Sequence, residues 1–93
     1  MIDFEWDEIK AEKNKRKHSV SFYEATTIFA DELSITFPDH EHSVEEDRFI
    51  IIGYSVNNSI LVVSHTHRLD YIRIISARKA TTREIQYYER SKN

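Results

Sequence analysis

A histidine, a few arginines and a short basic run carry most of the chemistry this sequence offers. His65 ends an apolar run, Ile60-Leu61-Val62-Val63-Ser64-His65-Thr66, and Arg73 and Arg78 follow in Tyr71-Ile72-Arg73-Ile74-Ile75-Ser76-Ala77-Arg78. Lys17 and His18 close a basic stretch that begins at Lys13. Such a set can cleave RNA without a metal ion. A base takes the 2′-hydroxyl proton, cations stabilise the crowded phosphorane, and an acid helps the 5′-oxygen depart. Imidazole suits proton transfer near neutrality. Strand alternation sends Tyr71 and Arg73 one way and Ile72 and Ile74 the other. If the isoleucines face a core, Arg73 stands on an exposed or grooved face. Leu61, Val63 and His65 share one side of the preceding strand, with Val62, Ser64 and Thr66 opposite; whether His65 meets Arg73 depends on a register the sequence leaves open. Arg78 lies just before a helix start, where backbone amides favour anions, so it is expected to hold a phosphate. The plain alternative for each cation is a solvated side chain, and for Lys17 and His18 a favourable pairing with a helix C-terminus.

Other chemistries are disfavoured. The chain has no cysteine, which excludes disulfides, thiolate nucleophiles and cysteine-ligated metals. Gly53 is the one glycine, so a Gly-rich phosphate loop is excluded. Asp39-His40-Glu41-His42 and His65-Thr66-His67 each place two histidines two residues apart, but zinc needs three or four converging ligands and nothing in the sequence fixes the first of these loops. No metal and no cofactor are expected. Net charge is −3, which alone argues against nucleic acid, but residues 1–47 balance to −8 and residues 48–93 to +5. That split allows one basic face on an acidic protein. No apolar run approaches the length of a membrane span, and the acidic N-terminus lacks the basic start of a signal peptide, so a cytoplasmic protein is expected.

The elements that must position these residues read as α+β. The 93 residues suit a single domain. Phe4-Glu5-Trp6 alternates as a short edge strand, and Asp7 caps a polar helix reaching about Lys17. Ser21 and Glu24 have capping-box spacing for a second helix, with Phe22, Ala25, Thr26 and Phe29 on its core stripe and an end near Asp31. Ser34–Phe37 reads as a strand stopped by Pro38, followed by the longest loop, 38–47. Arg48–Ser55, Ile60–Thr66 and Asp70–Ala77 form a three-strand meander with reversals at Asn57-Asn58 and near His67-Arg68-Leu69. Thr81 with Glu84 repeats the box spacing, Ala80 and Ile85 stand at staple positions, and a last helix spans about Thr82 to Arg90.

With these residues read, the chain resembles the BrnT family of type II toxins. The matching stretches are Phe4–Asp7, Asn14 with Arg16-Lys17-His18, Val20-Ser21-Phe22 with Glu24-Ala25, Phe29–Asp31, Arg48-Phe49, Ile52–Ser55, Leu61–Val63 with His65-Thr66, Ile72–Ala80, and Glu84 with Tyr87-Tyr88. The resemblance implies a RelE-like fold and a ribonuclease toxin that arrests translation. It also implies a BrnA-type antitoxin whose ribbon-helix-helix domain binds operator DNA, so that this chain meets DNA only through its partner. A dimer within that complex is compatible with it. The family's Lys-His pair falls on Lys17 and His18, and its basic meander residues on Arg68, Arg73 and Arg78. Ser19 stands where the family usually has glycine, and serine takes a positive φ less readily. A second reading is a non-catalytic module whose basic sheet face binds a small partner protein.

Overall fold

The computed structural model describes residues 2–92. Strand β1 (Asp3–Glu5) leads into helix α1 (Glu8–His18), whose cap Asp7 accepts from the Ile9 and Lys10 amides at 2.8 and 3.2 Å. Those amides, Lys10's first, and the Lys10 and Arg73 charges hold the Asp7 carboxyl below its ordinary range against the opposing effect of burial. The α1 sequence has no apolar stripe, and the residue it buries is Asn14. The Asn14 amide accepts from the Ala77 N–H at 3.0 Å and donates to the Ala77 carbonyl at 2.8 Å and the Val20 carbonyl at 3.1 Å. A side-chain amide thus completes the edge of a strand. Ser19 ends α1 at φ 58°, the left-handed conformation of a glycine cap, with its N–H on the Lys15 carbonyl at 2.8 Å.

Helix α2 (Phe22–Thr27) starts from Ser21, whose Oγ accepts from the Glu24 N–H at 3.0 Å. The expected capping box is half formed, because Glu24 Oε2 accepts from Ser55 Oγ at 2.6 Å instead of turning back to the cap. After Thr27 the chain tightens into a 3-10 turn, Ile28–Ala30, as the Thr26 and Thr27 hydroxyls donate to carbonyls three residues back.

One five-stranded sheet follows the order β1-β5-β4-β3-β2, and the successive pairs among β2 (Ile35–Pro38), β3 (Arg48–Tyr54), β4 (Ile60–Arg68) and β5 (Tyr71–Lys79) are antiparallel. β1 runs parallel to β5, so the sheet is mixed, where the meander had suggested antiparallel pairing throughout. The β3–β4 loop is one residue longer than Asn57-Asn58: Ser55 and Ser59 close it, and Asn58 takes φ 62°. Leu69-Asp70 makes the β4–β5 turn with Leu69 at φ 55°, and β5 runs on to Lys79 instead of stopping at Ala77. The 38–47 loop contains a 3-10 turn, His40–His42.

The two faces of the sheet bury separate clusters. Against α1 and α2 lie Ile51, Leu61, Val63, Ile74 and Ala77, packed on Val20, Phe22, Ala25 and Ile28. Gly53 belongs to this face because a Cβ there would come within 3.0 Å of Ile28 Cβ and 3.1 Å of its carbonyl oxygen. On the other face Ile52 and Val62 meet Tyr88 of helix α3 (Thr82–Ser91), with Ile35, Phe37, Ile50 and Ile60 around them. Fully burying each large aliphatic side chain is worth about 2 kcal/mol. Tyr88 donates its hydroxyl to Asp31 Oδ2 at 2.6 Å, and a complete Thr81–Glu84 capping box starts α3. Burial pushes the Asp31 carboxyl up, but hydrogen bonds from Tyr88, Tyr54 and Leu33 outweigh it and hold the group below its ordinary range. No helix among the described residues is long and apolar enough to cross a membrane.

Candidate functional site

Arg73 and Arg78 are five residues apart on one strand, an odd spacing that sends side chains to opposite faces of a regular strand. A bulge corrects this. Ser64 pairs with Ser76 and His65 with Ile74, leaving Ile75 as an extra residue of β5. Arg73 therefore stands opposite Thr66 and Arg78 opposite Val62, and those two partners lie on the same side of β4. Arg48 faces Thr66 from β3, and Arg68 lies two residues beyond Thr66. Arginines 48, 68, 73 and 78 thus share the sheet face away from α1 and α2. The row Arg48–Thr66–Arg73 crosses three adjacent strands, about 10 Å from end to end.

Part of this face is a groove of about 250 Å³, floored by Ile50, Val62, Ser64, Ile75 and Ser76. Arg78 forms one wall, where Glu84 of α3 holds it through two parallel bonds of 2.7 and 2.8 Å. This contact chiefly lowers the Glu84 carboxyl from 4.5 to about 2, and it raises the Arg78 guanidinium further. Arg48, Asp39 and His42 form the other wall. Arg48 Nε reaches Glu46 at 3.2 Å. The loop carrying this wall is tied across its base. The Asp39 N–H donates to the Arg48 carbonyl at 2.8 Å, the Arg48 N–H to Ser43 Oγ at 3.0 Å, and Ser43 Oγ to the Asp39 carbonyl at 2.6 Å. His42 Nδ1 lies 2.9 Å from Asp39 Oδ2. Asp39, Glu41 and His42 bring ligand atoms within 4.8 Å of one another, but two of the three are already bonded to each other and Glu41 is exposed, which is not a closed cation cage. Arg73 is half-buried, with no carboxylate partner among the described residues and its Nε unpaired.

His65 does not join this surface. It lies on the helix-covered face, 2% exposed, edge-on to Phe29 at 4.9 Å and stacked with Phe49 at 5.9 Å. Burial, with the His67 charge adding to it, pushes its imidazole down to about 4. The register that the sequence left open puts His65 and Arg73 on opposite faces of the sheet. Lys17 and His18 are the last residues of α1, exposed and half-buried respectively, and no hydrogen bond or ion pair among the described residues joins them to the groove. Arg78, expected just beyond the end of the strand, is a strand residue already engaged by a carboxylate.

Comparison with curated protein sequences finds no match. A family model described as the ribonuclease toxin BrnT of type II toxin–antitoxin systems matches residues 6–84. The chain belongs to the BrnT family. Among solved structures, that of the Brucella abortus ribonuclease toxin BrnT is similar, with a TM-score of 0.69 and 24% sequence identity over 88% of this chain and 100% of that one. At that identity the likeness is one of fold, and the fold is RelE-like. In this BrnT-family chain, reasoning from spacing missed Arg48, Glu84's grip on Arg78, and the Asp39–His42 pair. The Asp-x-x-His spacing was a signal for the pair, but its value depends on loop closure that no local pattern announces.

Proposed function

We propose that this chain, as a single domain over residues 1–93, is a metal-independent endoribonuclease toxin. It cleaves RNA, arrests translation and is neutralised by a BrnA-type antitoxin carrying a ribbon-helix-helix domain. The observation that supports this reading is the gathering of arginines 48, 68, 73 and 78 on one open sheet face from three adjacent strands. A single RNA strand lies across that face. Arg68 and Arg73, which have no carboxylate partner among the described residues, hold its backbone. Arg78 and Arg48 flank the reacting phosphate, where their forked donors stabilise charge that grows as the phosphorane forms. Lys17 and His18, where the family's Lys-His pair falls, contribute from the end of α1 as a flanking contact to the RNA backbone.

The purified protein is expected to cut RNA in the presence of a chelator, and the Arg73→Ala/Arg78→Ala double variant to lose that activity. Cleavage at the wild-type rate by the folded double variant would remove the site from this face. Cleavage that requires an added divalent ion would remove the metal-free mechanism.

The Arg78–Glu84 pair favours a second role for the same surface. A carboxylate is already the partner of Arg78, so an acidic antitoxin segment fits this wall and would inhibit by covering the groove. Operator DNA is then reached only through the antitoxin, in a complex that can hold two copies of the toxin. A folded chain that binds the antitoxin tightly yet neither cuts RNA nor slows growth would make this face a binding module alone.

A further inference from the structure

We propose that His42, oriented by Asp39, is the group that removes the 2′-hydroxyl proton in this groove; the inference rests on the ribonuclease reading above. The arginines supply charge stabilisation but no base, and His65 is buried on the opposite face. Of the remaining histidines, His18 ends α1, His67 sits edge-on to Phe49 at 5.4 Å on the helix-covered side, and His40, exposed in the same turn as His42, does not line the groove. His42 lines the groove, across from Arg78 and beside Arg48.

Three features fit a base. First, an ionised carboxylate only accepts hydrogen bonds, so the 2.9 Å contact to Asp39 Oδ2 places the ring proton on Nδ1 and leaves the Nε2 lone pair free. Second, Asp39 is fixed. Its side chain is 13% exposed, its N–H is bound to the Arg48 carbonyl, and its carbonyl accepts from Ser43, whereas the imidazole is 61% exposed and open to a substrate. Third, the hydrogen bonds that close the loop begin and end at Asp39 and Arg48, so the base and a phosphate-binding cation are set by one structural unit. This overturns the sequence-based expectation of an unfixed loop.

The 2′-hydroxyl proton passes to His42 Nε2 as the O2′–P bond forms. The P–O5′ bond breaks, and water in the open groove protonates the leaving oxygen. The hydroxide so formed takes the proton from His42. The products are a 2′,3′-cyclic phosphate and a 5′-hydroxyl. Asp39 is a positioning residue: it selects the tautomer and aims the ring.

The test uses the full chain on an end-labelled, mixed-sequence RNA transcript, comparing wild type, His42→Ala, His42→Gln and Asp39→Asn. His42→Ala is expected to lower kcat about 10²- to 10⁴-fold with KM unchanged. Added imidazole should restore part of the lost rate in His42→Ala. His42→Gln, which can still donate to Asp39 but cannot take a proton, should be equally slow, and it decides the matter if His42→Ala does not fold. Asp39→Asn should lower kcat while keeping KM. A folded His42→Ala or His42→Gln variant at the wild-type rate, or a loss that imidazole leaves untouched, overturns the role of His42 while the nuclease reading stands. A wild-type chain that leaves the transcript intact overturns both.

Discussion

Replacing Glu84 by Gln tests whether the Arg78 wall is a strong ion pair. The two side chains meet through bonds of 2.7 and 2.8 Å, and the Glu84 carboxyl falls from 4.5 to about 2. Read directly, that drop corresponds to about 3 kcal/mol favouring the ionised folded form. Arg78 is 40% exposed and Glu84 27% exposed, so solvent screens part of it and about 1–2 kcal/mol is expected. Glutamine can still accept from the Thr81 N–H, so the cap is largely kept and the loss reports the ion pair. For a chain of this length the cost is about 5–10 °C in Tm at pH 7. The sign is definite. A carboxyl held below its unfolded value stabilises fully above that value and loses its contribution as pH falls through the folded one. Thermal unfolding of wild type and Glu84→Gln should therefore differ at pH 7 and converge between about pH 4.5 and 2. Equal midpoints at pH 7, or a gap that persists undiminished at the acid end, would refute the reasoning.

Three further outcomes follow from contacts described above. His65, held down to about 4 by burial, binds its proton first in the unfolded chain; stability should fall by up to about 3 kcal/mol as pH drops from 6.5 to 4, and His65→Leu should flatten that slope in urea titrations. Asn14→Ala strips the Ala77 N–H and carbonyl of their partner and should cost about 2–4 kcal/mol, with hydrogen exchange at the Ala77 amide accelerated. Ser19→Gly relieves a serine at φ 58° and should add up to about 1 kcal/mol, read as a higher Tm; a lower one would show that the serine conformation carries no strain.

Local patterns carried much of this fold. Asp7 and the Thr81–Glu84 box start helices where their spacing says they should, because capping is settled within one turn. Alternation in β4 sorted Leu61, Val63 and His65 from Val62, Ser64 and Thr66, and the pairing register keeps that division. What spacing did not carry depends on distant partners. Glu24 left its own cap for Ser55, 31 residues away. Three residues of β1 hold no mark of whether they pair parallel or antiparallel. Arg73 was placed on its face by alternation, but its companionship with Arg78 depends on Ile75, an apolar residue no different in type from its neighbours. His65 has the chemistry of a base, yet an imidazole packed between Phe29 and Phe49 differs from a reactive one only by what covers it.

The bulge at Ile75 means that β5 carries one residue more than its pairing with β4 uses. Removing Ile75 would leave a regular strand in which Ser76 follows Ile74 and every pairing with β4 is kept. The two arginines would then be four residues apart, an even spacing that still sends both to the same face. Exchange of Ile75 for valine or leucine leaves the count intact and the cations together. A single-codon deletion here should therefore spare the proposed RNA cleavage about as well as a conservative replacement does, whereas the same deletion inside the regularly paired β4 would reverse the faces of the residues beyond it.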